Sequence, residues 1–139
     1  MWTRFEIDEE LKTKYDELRF SKSTGLLVLK IENEKIILER EEVLPFDEFK
    51  ETLPDDEPRF ILYDAPVKNR VGMDDKRMVF IFWMPMEAPV RLRMTYAGAK
   101  NYVRDVFQGI SATIQFDDKS EMTLEAIQKR IMRTQGINV

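Results

Sequence analysis

The sequence contains no cysteine and no histidine. The first absence excludes disulfides, thiolate metal sites and cysteine nucleophiles. The second removes the commonest general base, the commonest metal ligand and the one side chain that ordinarily titrates near neutral pH. Glycine is scarce, at 5 of 139 residues, and each glycine is isolated. That leaves no phosphate-cradling loop and no dinucleotide fingerprint. No apolar run approaches the roughly 18 residues of a membrane span, and no secretory core precedes a cleavage site, so a soluble cytoplasmic protein is expected. Lys and Arg total 22 against 26 Asp and Glu, a net charge of −4. An acidic balance argues against a dedicated nucleic-acid binder.

What is present describes a folded chain. A hydrophobic fraction of 43% with 11% aromatics is ordinary for a globular protein, and the length suits one domain, residues 1–139, with one core. "IDEELKTKYDELRF" (residues 7–20) predicts a helix capped by Asp8, with Leu11, Tyr15 and Leu18 on one face. "LLVLKI" and "KIILER" around "ENE" predict a hairpin. A short helix is expected over 46–53 between Pro45 and Pro54, then strands "RFILYD" (59–64) and "RMVFIFWM" (77–84), with "APVKNRVGMDDK" as a loop between them. A long helix follows Pro89, then the strand "SATIQF" and a last helix with Leu124, Ile127 and Ile131 inward. The predicted class is α/β (α+β): a mixed sheet of four to five strands sandwiched between helices.

Catalysis finds little support. Four scattered serines with no histidine offer no activated nucleophile. The acid pairs Asp55/Asp56, Asp74/Asp75 and Asp117/Asp118 fall in predicted turns, where solvated carboxylates are the ordinary case. No enzyme activity and no cofactor are expected.

The long helix "MEAPVRLRMTYAGAKNYVRDVF" is the informative segment. At roughly 100° per residue, Leu92, Tyr96, Ala99, Val103, Val106 and Phe107 share one arc and form a core face. Lys100 and Arg104 each fall within about 20° of Arg93, on a different arc. Met94 belongs to neither, beside Ala97 and Asn101 at the border of the basic stripe. By spacing alone this side is either a solvated helix face with a lone exposed methionine or a binding surface. Two further basic groups stand out: "DDKR" (74–77), and Lys129, Arg130 and Arg133 near the C-terminal end of the last helix. A solvated loop and complementation of the helix dipole account for these equally well.

Four segments together carry a resemblance: "KIENEKIILE", "FDEFKETLPDDEPRFILYD", "RMVFIFWMPMEAPVRLRMTYAGAK" and "DDKSEMTLEAIQKRI". In this order the chain resembles the ADF/cofilin family of actin-depolymerising proteins, from about residue 7 to residue 133. The resemblance implies the ADF-homology fold and a monomer that binds actin monomers and filament sides, preferring the ADP-bound form. It implies severing and depolymerisation of filaments in the actin cytoskeleton, with acidic phosphoinositides as a further partner. It places Arg91, Arg93, Met94, Lys100 and Arg104 on the surface shared by monomer and filament binding, with Met94 entering an apolar cleft of actin. Lys76, Arg77, Arg130 and Arg133 fall on the filament-specific surface. The family's usual phosphorylated serine near the start has no counterpart here; Thr3 in "MWTRFEI" is the one nearby hydroxyl and the candidate modification site. The motif usually read as Tyr-Ala-Ser-Ser-Lys is "YAGAK". Its Gly98 is shared with the related glia maturation factors, which bind the actin-related branching complex and detach branches; this is the alternative reading.

Overall fold

A computed structural model describes residues 5–22 and 24–134. Thr3 lies outside the described residues. The elements run β1 (Glu6–Ile7), α1 (Glu9–Phe20), β2 (Leu26–Glu32), β3 (Lys35–Glu42), α2 (Phe46–Lys50), β4 (Arg59–Lys68), β5 (Asp74–Trp83), α3 (Val90–Val106), β6 (Ile110–Phe116) and α4 (Leu124–Thr134), with a 3-10 turn at Lys119–Glu121.

The strands form one mixed sheet in the order β1-β3-β2-β4-β5-β6. The β1–β3 and β5–β6 pairs are parallel and the others antiparallel. The parallel β5–β6 pair requires a crossover, which α3 supplies. Side chains alternate across the sheet. Phe60, Leu62, Phe80 and Phe82 join Leu11, Tyr15, Tyr96 and Val103 in one apolar layer. Ile61, Tyr63, Val79 and Ile81 join Phe46, Phe49, Ile127 and Ile131 in the other. Helices α1 and α3 therefore cover one face, and α2 and α4 the opposite one. Strands buried on both faces explain the unbroken apolar runs of β4 and β5.

Local signals account for the ends. Asp8 caps α1 by accepting from the Glu10 N–H at 3.2 Å. The β2–β3 hairpin turns at Asn33 and Glu34, both with positive φ (52° and 63°), as a two-residue turn with right-handed strand twist requires.

Three expectations are corrected. The sheet has six strands rather than four or five: β1 is two residues long, too short for any periodicity, and exists through its pairing with Lys35 and Ile36. The span expected as a loop after residue 64 is mostly hairpin, since β4 runs to Lys68 and Asp74 and Asp75 begin β5 instead of lying in a turn. Pro66 obscured this. It sits opposite Lys76, and its carbonyl accepts from Gln128 Nε2 at 2.7 Å. The helix expected over 46–53 is α2, which ends at Lys50.

Candidate functional interface

Helix α3 begins where Pro85 and Pro89 prevent β5 from continuing, and Arg93 N donates to the Pro89 carbonyl at 3.0 Å to close the first turn. Its inward face is the arc expected from spacing: Tyr96, Ala99 and Val103 are buried, and Leu92 and Val106 pack against the same layer. The Tyr96 hydroxyl accepts from the Ile31 N–H at 2.9 Å, which fixes the helix's rotation over the sheet. Met94 therefore faces solvent and is 69% exposed. Val90, 68% exposed, precedes it by four residues at the start of α3, and Met86, 72% exposed, lies in the turn before the helix. This is an apolar ridge along a helix whose core face is already satisfied.

The predicted residues divide around that ridge. Arg91 and Met94 line a cleft of about 1190 Å³, closed on its far side by Phe5, Ile7, Ile31 and Glu34, with Gly98 and Tyr102 farther along α3. Arg93 is exposed on the neighbouring arc. Lys100 shares that arc but is half-buried, with Nζ 5.9 Å from the centre of the Phe82 ring. Arg104 is half-buried, its Nε 3.2 Å from an Asp105 oxygen. It lines a second hollow together with Arg130 of α4.

The other basic set is brought together only in part. Gln128 ties α4 to Pro66 and hence to the hairpin end carrying Lys76 and Arg77. Alternation along β5 puts Arg77 on the α4 side of the sheet, with Val79 and Ile81. Arg130 and Arg133 are exposed on α4. Lys76 lies on the opposite side and turns inward. Its Nζ is 2.7 Å from Oδ2 of buried Asp64 and donates to the Ser21 carbonyl at the end of α1. Burial pushes the Asp64 carboxyl above its ordinary value, and the Lys76 ammonium opposes that rise. Asp75 moves the other way: the Lys76 backbone N–H at 2.8 Å holds its carboxyl below the ordinary value, and the Arg77 guanidinium adds to this.

Residues 4–132 match the cofilin/tropomyosin-type actin-binding protein family, nearly the whole described chain. The chain belongs to that family. It is 31% identical to the cofilin of Yarrowia lipolytica over 134 residues, which cover 94% of this chain and 88% of that protein. The cofilin structure from Streptomyces griseoflavus is 25% identical with a TM-score of 0.81, over 90% of this chain and 97% of that one. The glia maturation factor structure from Caenorhabditis elegans is 29% identical with a TM-score of 0.78, over 93% and 96%. The six-stranded mixed sheet with helices on both faces is thus the cofilin fold.

Within this cofilin-type fold, sequence reasoning overlooked two features. Tyr102, 45% exposed, continues the ridge two intervals of four beyond Met94; the spacing was readable, but the tyrosine was not connected with it. Asp64 ends an apolar run, and nothing in its immediate neighbourhood marks it as the partner of Lys76. Among the described residues, no helix is long and apolar enough to cross a membrane.

Proposed function

We propose that the chain binds actin monomers and filament sides through α3 and promotes severing and depolymerisation of filaments, with ADP-actin the favoured form. The observation carrying this reading is Met94: a long apolar side chain 69% exposed between Arg91 and Arg93 in a family of actin-binding proteins. An apolar anchor ringed by charge concentrates binding energy at an interface, because the anchor is desolvated while the surrounding charges orient the partner. Arg93, Lys100 and Arg104 supply positive charge beside the anchor. Arg77, Arg130 and Arg133 form a second contact with a neighbouring subunit of the filament, and Lys76 serves it from behind by holding the base of the β4–β5 hairpin.

The reading is tested by replacing Arg93 and Lys100 together with glutamine. Both lie outside the fully buried core, so the fold should persist. Affinity for purified actin monomers and filaments should fall sharply; parental binding to both would refute this use of α3. The likeness to the glia maturation factor structure favours a second reading, binding of the actin-related branching complex as in those factors. Capture of that complex, with no binding to actin, would establish it instead.

A further inference from the structure

Three of the four described glycines have a reason within the chain. Gly72 and Gly109 have φ of 81°, and a Cβ on Gly25 would meet Leu18 Cδ1 at 3.0 Å. Gly98 has neither. It sits at the centre of the 17-residue helix α3, its φ is not positive, and a Cβ there would meet nothing within 4 Å. A mid-helix glycine is unfavourable relative to alanine. No turn and no close approach of the chain to itself offsets that cost.

We propose that Gly98 is a specificity-determining position: the gap it leaves on α3 between Met94 and Tyr102 receives an apolar side chain of actin. This rests on the actin reading above and extends it along the helix. Three observations fix the chemistry of the occupant. Met94, Gly98 and Tyr102 follow one another at intervals of four, so a side chain seated over Gly98 touches a thioether on one side and an aromatic ring on the other. The same cleft presents half-buried Phe5, Ile7 and Ile31, which give the seat an apolar wall, together with the exposed charges of Glu6, Glu9, Lys12 and Glu34. The cleft also contains Arg91 and is continuous with the ridge assigned to actin, so one partner spans both. The glycine lets that partner's side chain approach the helix axis more closely than any other residue would allow.

The test uses Gly98→Ala and Gly98→Leu in the full chain, with Met94→Ala beside them, measured against purified ADP-actin monomers and filaments. Because the space around Gly98 is open and helix propensity improves, both glycine variants should melt a few degrees higher than the parent. Overfilling a packed contact weakens it, so Gly98→Leu should bind actin about tenfold or more weakly, and Gly98→Ala should lie between it and the parent. A variant that folds better and binds worse cannot owe its loss to damage in the fold. If Gly98→Leu melts higher and binds like the parent while Met94→Ala loses affinity, the socket is refuted and the actin reading stands. If parent and variants alike fail to bind actin, both are overturned.

Discussion

Truncating Met94 to alanine separates binding from folding in a way few substitutions can. The side chain is 69% exposed, so its removal takes almost nothing from the core, and the melting temperature should stay within the narrow range typical of surface changes. Fully burying a methionine side chain contributes about 1.5–3 kcal/mol. Since roughly two thirds of Met94 is still open to be covered, a partner that engulfs it gains about 1–2 kcal/mol. At 1.4 kcal/mol per factor of ten, the Met94→Ala variant should bind actin monomers about 5- to 30-fold more weakly. Titrating fluorescently labelled ADP-actin with parent and variant measures the ratio, and thermal unfolding of the two proteins supplies the stability control. An unchanged dissociation constant would show that Met94 stays in water in the complex and that α3 does not meet actin by this ridge. A large fall in melting temperature would refute the account of α3's rotation, since it would mean that Met94 supports the core.

Reversing the charges of Arg130 and Arg133 should weaken filament cosedimentation and severing while sparing monomer affinity, with the parent's own filament affinity declining as salt rises; equal loss of monomer and filament binding would contradict a separate filament contact. Without histidine, filament affinity should be nearly flat between about pH 6.5 and 7.5, and a steep slope abolished by Asp64→Asn would place the titrating group in this chain after all. Asp64 also has a signature in stability. Its carboxyl titrates above the ordinary 3.8 in the folded protein, so the folded state binds this proton more tightly than the unfolded state and loses stability as pH rises from 3.8 through the raised value. Relative to Asp64→Asn, the parent should therefore lose melting temperature as pH is raised above 3.8. A gain over the same range would show that Lys76 outweighs the desolvation of Asp64.

Much of the sandwich was legible because local and tertiary requirements agree. The apolar runs of β2, β4 and β5 reflect burial on both faces, and Asp8 and Pro89 mark helix starts by side-chain capping and fixed φ. The face of α3 was readable from angular spacing alone, which places Met94 outside the core. Strand β1 was not legible, because two residues hold a strand only through a partner elsewhere in the chain. The hairpin extension was masked by Pro66, whose breaker character is overridden by register with β5 and by Gln128. Among the site residues, a basic pair at the start of a strand looks uniformly exposed in sequence. The period of two then sends Lys76 to Asp64 and Arg77 to the opposite face, and the carboxylate that decides this lies 12 residues earlier. Gly98 was visible as a departure from a motif, but the open space around it became apparent only in three dimensions.

The central claim is that this chain meets actin itself. The most direct measurement mixes the purified protein with purified actin filaments and, separately, with the purified actin-related branching complex, then sediments or captures each. The account predicts that the protein pellets with filaments in a saturable manner and shortens them, with no comparable retention on the branching complex. Retention on the complex with none on filaments would contradict it.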